Sequence, residues 1–413
     1  MSLIQVEEIP CDVKSNSVFE INSTDVNYYS HGFFKYPCKF IPQIPRWAIQ
    51  QYSKPGDLVL DPFAGSGTTL VESILNKRTG LGIDFDKFSQ LLCKVKTTKY
   101  DKKLIDKIRD ESSTFKVLAK ENEKFLPDLH NLSHWFPKQN ISKLSFLLGE
   151  IEQYSSDKKI YNFFLVCFAA SIRKCSFADD VSPKPYISTR IEKTPLDVKD
   201  VFLKNIKSYL KNLEYFESNN LGNSAIISND ARHIKNKKYD GKIQLAITSP
   251  PYINAFDYVR SLRLENAWLG YYGDTNIIDV KRKQIGTETI YQKDYFKIED
   301  TGIRKLDDIV KKISKIDKKR ACIVQKYFFD MSKNMLEIKR LLKKNGHYVI
   351  VVGNSRIREI NVPTNELLLE IAKINGFSLE NMFSYVIKNR YLRIPRSGKG
   401  GLIKKDWIID LVK

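Results

Sequence analysis

Two short segments hold the residue types with which this chain could do chemistry. The first is Thr248-Ser249-Pro250-Pro251-Tyr252. Consecutive prolines fix φ and remove N–H donors, so a carbonyl of this loop can point outward with no neighbour competing for it. Ser249 offers a second acceptor, and Tyr252 a flat face on which an aromatic ring can stack. An exocyclic amine on an aromatic ring is a poor nucleophile, because its lone pair is delocalised into the ring. Two acceptors on a stiff loop would draw its hydrogens out of the ring plane, restore lone-pair character and leave the attack largely to positioning. Taken alone, the segment also reads as a Pro-Pro turn that ends a strand.

The second segment is Asp61-Pro62-Phe63-Ala64-Gly65-Ser66-Gly67-Thr68-Thr69. It follows Leu58-Val59-Leu60, an apolar run suited to a buried parallel strand. The carboxyl end of such a strand is where α/β sheets hold cofactors. Gly65 and Gly67 allow a tight turn and close approach of a ligand. Thr68 and Thr69 are candidates to cap the next helix. Asp84 closes the following strand, Thr79–Asp84, where an acid can accept hydrogen bonds from two ribose hydroxyls. Leu70 stands where a dinucleotide loop has its third glycine, and no phosphate-loop sequence is present, which disfavours NAD, FAD and nucleoside triphosphates. A ribose-bearing cofactor with a sulfonium instead of phosphates needs no phosphate cradle.

The elements around these loops spell strand, glycine loop, helix, strand, the start of a doubly wound sheet. Helices are predicted at Ile44–Tyr52, Leu70–Asn76, Tyr327–Leu342 and Leu367–Asn375, the last capped by Gly376. Strands are predicted at Ser224–Ser228, Ile243–Thr248 and Gly346–Val352, with Met382–Val386 and Trp407–Val412 as a closing pair. The expected organisation is an N-terminal arm (1–30), the first part of the core (31–100) and a helical insertion (101–222). A core segment with the Pro-Pro loop (223–269), a basic insertion (270–325) and the remaining core (326–413) follow. Both insertions are rich in lysine and are candidates for tracking phosphates.

Lys plus Arg outnumber Asp plus Glu by 68 to 48, a formal charge of +20 that favours a polyanionic partner. Arg260 and Arg263 follow the Pro-Pro loop, and Arg393, Arg396 and Lys399 lie in a basic glycine-containing loop. These are candidates for nucleic-acid contact and read equally as solvated surface. The cysteines form no CxxC pair and the five histidines are dispersed, so no metal site is expected. Cys38 follows a proline, as a nucleophile might, but it precedes the glycine loop and reads as a packing thiol. The N-terminus is acidic and no apolar run has the length of a membrane span, which points to a cytoplasmic protein.

The two motifs together resemble the amino-methyltransferase family that acts on adenine N6 or cytosine N4 in DNA. The family's AdoMet motif is similar to Asp61–Thr68, and its catalytic motif, Asp, Asn or Ser followed by Pro-Pro and an aromatic residue, is similar to Ser249–Tyr252. The resemblance implies a class I AdoMet-dependent methyltransferase fold of the α/β, Rossmann-like kind, with S-adenosylmethionine as cofactor and S-adenosylhomocysteine as product. It also implies double-stranded DNA as partner, with a base flipped from its stack. Tyr36-Pro-Cys-Lys-Phe40 is similar to a further AdoMet-contacting element, implicating Tyr36 and Phe40. Asp84 matches the ribose-binding acid, Asp230 an acid at the adenine end of AdoMet, and Val351–Ser355 a late core strand. Serine at the first catalytic position resembles the cytosine-N4 enzymes. Many of those carry the catalytic motif before the AdoMet motif, whereas here the glycine loop comes first. Adenine N6 therefore stays open, as does an RNA guanine-amino methyltransferase with this motif order. Family resemblance further implies protection of host DNA beside a possible cognate restriction endonuclease; a monomer is the favoured oligomeric state.

Overall fold

The apolar runs that precede the two motifs are neighbouring strands of one sheet. The computed structural model describes residues 3–22, 25–39, 41–214, 220–253, 257–295, 298–387 and 405–413. The strands of the main sheet are β1 (Leu3–Val6), β2 (Val18–Ile21), β3 (Leu58–Asp61), β4 (Thr79–Ile83), β5 (Asn223–Ser228) and β6 (Ile243–Thr248), with β7 (Leu342–Gly353) beside them. A small hairpin of β8 (Ser355–Ile357) and β9 (Ile360–Val362) stands apart, and β10 (Ser378–Val386) and β11 (Lys405–Val412) return to the main sheet. The order is β1-β2-β10-β11-β7-β6-β3-β4-β5. Strands β5, β4, β3, β6 and β7 are mutually parallel, and β11 runs antiparallel between β7 and β10. A parallel sheet closed by one antiparallel hairpin, with helices on both faces, is the class I methyltransferase fold.

Alternation along the central strands explains the burial of both faces. Val59, Leu245, Ile247, Val349 and Val351 pack against Ile44, Trp47 and Ile49 of α1 (Gln43–Tyr52). Leu60, Ala246, Tyr348, Ile350 and Val352 face the other way. They meet Tyr327, Phe328 and Met331 of a long helix, Lys318–Leu341, and Leu367, Leu368 and Ile371 of another, Thr364–Ile374. Gly376 follows this last helix at φ +77°, a left-handed position that suits glycine.

Helices α2 (Thr68–Leu75) and α3 (Lys87–Lys96) connect the first strands. Residues 101–222 then contribute α4 (Lys102–Thr114), α5 (Leu132–Trp135), α6 (Lys138–Glu152), α7 (Lys158–Ile172) and α8 (Val198–Leu213). This helical segment is continuous with the core: Phe163, Phe164, Phe168 and Phe202 share one cluster with Phe88, Leu92 and Val95 of α3.

The structure corrects two expectations. Residues 1–30 are not merely an arm, because β1 and β2 extend the sheet beyond β10, with Val18 opposite Ser384 and Phe19 opposite Tyr385. Strands of four residues are too short to show a period in sequence, and Phe19 is fixed by packing on Phe383. The segment 270–325 is likewise built into the fold. After α9 (Tyr258–Ser261) and α10 (Arg263–Trp268), it carries α11 (Ile277–Lys283), α12 (Arg304–Ser314) and the start of α13 (Lys318–Leu341), which precedes α14 (Thr364–Ile374). Leu306, Val310 and Ile313 of α12 are buried, an apolar stripe that lysine-rich flanks mask in the sequence.

Candidate active site

Strands β3 and β6 pair in register, Leu60 opposite Ala246, so the glycine loop and the Pro-Pro loop leave the same edge of the sheet side by side. The sheet order also reverses here, with β4 on one flank of β3 and β6 on the other, and the carboxyl edge at such a point forms a crevice. A cavity of about 390 Å³ fills it. Phe63, Gly65, Asp84, Asp230, Ser249 and Pro251 all line this one cavity.

Asp61 ends β3 and is buried beneath the crevice. Its Oδ1 accepts from the Thr248 hydroxyl at 2.6 Å and the Phe63 amide at 3.0 Å, and its Oδ2 from the Thr69 hydroxyl at 2.6 Å. Burial pushes its carboxyl up to about 6, opposed by these hydrogen bonds. Neither Thr68 nor Thr69 caps α2, contrary to expectation: Gly67 is the N-cap residue, and both threonines already lie in the helix. The Thr69 hydroxyl is spent on Asp61, and that of Thr68 lies 3.0 Å from Ser66 Oγ. Gly67 has φ +76°, and a Cβ there would come within 3.0 Å of the Cys93 sulfur, so both conformation and space demand glycine. Pro62, Ala64, Ser66 and Thr68 join the lining.

Asp84 faces the cavity from the end of β4. Its Oδ2 accepts from the Gly65 amide at 2.7 Å and its Oδ1 from the Asp86 amide at 2.9 Å, which leaves lone pairs on both oxygens for a ligand. Burial and the nearby Asp86 carboxylate push its carboxyl up to about 7. Tyr36 also lines the cavity, with its hydroxyl 2.9 Å from Ser89 Oγ and its ring against Gly65. Asp230 lines it too, but its carboxylate is held by Arg232 through two hydrogen bonds of 3.0 Å. Phe40, Arg393, Arg396 and Lys399 lie outside the described residues.

The Pro-Pro loop is arranged differently from expectation. Ser249 and Pro251 line the cavity, whereas Pro250 is buried and Tyr252 is not part of the lining. The Tyr252 hydroxyl interacts electrostatically with Asp406 of β11, which accepts a 2.9 Å hydrogen bond from Tyr385 of β10. The aromatic rings that do face the cavity include Phe63, Phe85, Tyr258, Tyr271 and Tyr272. Arg260 is exposed. Arg263 binds Asp274 at 2.8 and 2.6 Å and stacks on Trp135, an arrangement that ties α10 to α5. Cys38 does not pack in a core: it is exposed and lines the cavity.

Several participants escaped the sequence reading. Asp86 caps α3 through the Ser89 amide at 2.8 Å and accepts from Asn266 and Tyr272, and it could have been found as an N-cap before an apolar run. Lys96 is fully buried and donates to the Ser66 carbonyl at 2.7 Å, with burial holding its amine down at about 7. Asp406 is buried as well, and nothing in the sequence sets it apart from other strand acids.

The donor set suits a hydroxyl-bearing cofactor. Asp84 keeps lone pairs open for ribose hydroxyls beside a glycine loop that can meet a ligand closely, and Asp86, Asp230, Lys39, Lys87, Arg232 and Lys283 share the lining. The sheet order and the paired loops are those of the class I AdoMet-dependent methyltransferase fold. Residues 7–94 match the N6/N4 methyltransferase family, described as DNA methylase. Over 407 residues the chain is 27% identical to the type II methyltransferase M.MvaI of Kocuria varians, a match covering 92% of this chain and 88% of that protein. It is 24% identical over 416 residues to M.BsoBI of Geobacillus stearothermophilus, covering 88% and 81%. It is 31% identical over 156 residues to M.MjaII of Methanocaldococcus jannaschii, covering 36% and 29%. These matches support an amino-methyltransferase family for the chain.

Proposed function

We propose that this chain methylates the exocyclic amino group of a flipped base in duplex DNA, with cytosine N4 as the target. The carrying observation is that the glycine loop and Ser249-Pro250-Pro251 border one cavity and are joined through Asp61 and Thr248. In this reading AdoMet supplies an electrophilic sulfonium methyl. Phe63–Gly67, Asp84, Tyr36 and Asp230 would hold it, with Asp84 as the acceptor for its ribose hydroxyls and Asp230 with Arg232 for its adenine end. Ser249 and a Pro-loop carbonyl accept the two amine hydrogens and hold the nitrogen lone pair toward the methyl group.

Serine at position 249 favours cytosine, since the adenine-N6 members carry Asp or Asn there. The excess of basic residues suits a DNA backbone, and the type II names of the relatives suit protection of host DNA beside a cognate endonuclease. Among the described residues no helix is long and apolar enough to cross a membrane. The test is incubation with labelled AdoMet and duplex DNA, followed by digestion to nucleosides and mass analysis. N4-methylcytosine is expected. N6-methyladenine would move the target base, and label only in tRNA would overturn the DNA assignment.

A further inference from the structure

The proposed reaction leaves one proton unaccounted for. As the amine nitrogen forms its bond to the methyl group with its own lone pair, the departing sulfur keeps the electrons of the broken bond. The nitrogen then carries a positive charge and must shed a hydrogen. The carbonyls of the Pro-Pro loop can orient that hydrogen but cannot hold it as a proton. Ser249 can receive it only by passing on its own.

The structure places an acceptor behind Ser249. Because β11 runs antiparallel, its first residues lie at the edge where β3 and β6 end. Asp406 is paired with Gly353 at the end of β7, and β7 in turn flanks β6. The Asp406 side chain is buried. Its Oδ2 accepts from Tyr385 at 2.9 Å, while its Oδ1 has no closed hydrogen bond among the described residues. A buried carboxylate oxygen left open is costly and calls for a reason. The Tyr252 hydroxyl interacts electrostatically with this carboxylate and with the Ser249 hydroxyl, with neither hydrogen bond closed. Of the other acids facing the cavity, Asp86 is engaged by Ser89, Asn266 and Tyr272 and Asp230 by Arg232, while the open lone pairs of Asp84 are taken by the ribose in the proposed function.

We propose that Asp406 is the positioning residue of the catalytic loop, holding the Tyr252 hydroxyl, orienting Ser249 through it and receiving the proton that the target amine sheds. The inference rests on the amino-methyltransferase reading and deepens it. The transfer balances as three proton moves: amine nitrogen to Ser249 Oγ, Ser249 Oγ to Tyr252 Oη, and Tyr252 Oη to the Asp406 carboxylate. Both hydroxyls end as they began, one proton has moved from amine to carboxylate, and nothing is oxidised or reduced. It also explains why Tyr252 is not part of the cavity lining. The groups facing Asp406 are Tyr252, Tyr385 and Cys38. Burial raises its carboxyl above the usual range, which makes the ionised form a better proton acceptor.

The experiment compares wild type with Asp406→Asn, Tyr252→Phe, the double variant and Asp406→Glu. It follows single-turnover methyl transfer to mixed-sequence duplex DNA across pH at saturating AdoMet. Asp406→Asn is expected to slow transfer at least about tenfold, to keep AdoMet affinity within about twofold, and to lose the acid limb on which the wild-type rate falls as Asp406 protonates. Tyr252→Phe should show the same loss, the double variant no more than either single change, and Asp406→Glu a partial return of rate and acid limb. In the protein without substrate, the Cζ resonance of ¹³C-labelled Tyr252 should follow the titration of Asp406 and cease to do so in Asp406→Asn. A folded Asp406→Asn that keeps the wild-type rate or acid limb overturns the proposal, as do additive losses. If Asp406→Asn does not fold, Tyr252→Phe decides, since it keeps the ring and removes only the hydroxyl. A wild type that methylates no DNA counts against the proposed function, whereas a Tyr252 resonance blind to Asp406 counts against this inference alone.

Discussion

The Thr248 hydroxyl donates across 2.6 Å to the Asp61 carboxylate, joining the residue before the Pro-Pro loop to the first residue of the glycine loop. The bond is wholly buried and spans two loops that are far apart in sequence. Thr248→Val removes the hydroxyl with little change of shape and leaves Asp61 Oδ1 with the Phe63 amide alone. The expected cost is about 1–3 kcal/mol of stability, because a buried acceptor loses a partner. Urea unfolding with and without AdoMet should show this loss together with weaker AdoMet binding.

Asp84 gives the cofactor site a pH dependence whose sign follows from its raised carboxyl, at about 7. The folded protein without cofactor holds a proton there that the unfolded chain releases at lower pH. The group therefore favours the folded state at acid pH, and this contribution is lost as pH rises through about 7. Cofactor binding runs the opposite way, since ribose hydroxyls donate best to the ionised form. AdoMet affinity measured by calorimetry should rise as pH passes through about 7, and Asp84→Asn should bind more weakly with that step removed.

Lys96 supports the glycine loop from below. Its amine is held down at about 7 by burial, so the folded state binds fewer protons than the unfolded chain between about 7 and about 10.5. Stability contributed by this group therefore rises with pH over that window. Lys96→Met keeps much of the side-chain volume and removes the titration. Its stability relative to wild type should be most favourable near neutral pH and fall away toward pH 10, while AdoMet affinity drops because the Ser66 carbonyl loses its donor.

Gly67→Ala meets both a left-handed φ and the Cys93 sulfur. The backbone strain alone costs about 1–2 kcal/mol, so Cys93→Ala should restore only part of the lost stability. Thermal unfolding of the two single variants and the double variant checks this.

The placement of the two loops at one cavity was legible in the sequence because each motif is local. Asp61–Thr69, Asp84 and Ser249–Tyr252 each follow an apolar strand, and strand periodicity with glycine and proline was enough to set them at one sheet edge. What stayed hidden depends on contacts between distant segments. Phe19 becomes part of a strand only by packing on Phe383. Lys96 reads as one more surface lysine until α3 folds over Ser66. Tyr252 offers a stacking face in sequence, yet Asp406, with which its hydroxyl interacts, lies on the last strand. Residues 270–325 looked like a basic insertion because lysines outnumber the apolar stripe of α12.

The account stands or falls on Ser249 gripping the target amine beside the cofactor. The most direct measurement is single-turnover methyl transfer to duplex DNA by Ser249→Ala, with AdoMet affinity measured on the same protein. The expected result is a loss of about 100-fold or more in rate, the scale for removing one preorganised hydrogen-bonding group, with AdoMet binding essentially intact. A variant that binds AdoMet normally and methylates DNA at the wild-type rate would contradict the assignment of this cavity as the place of reaction.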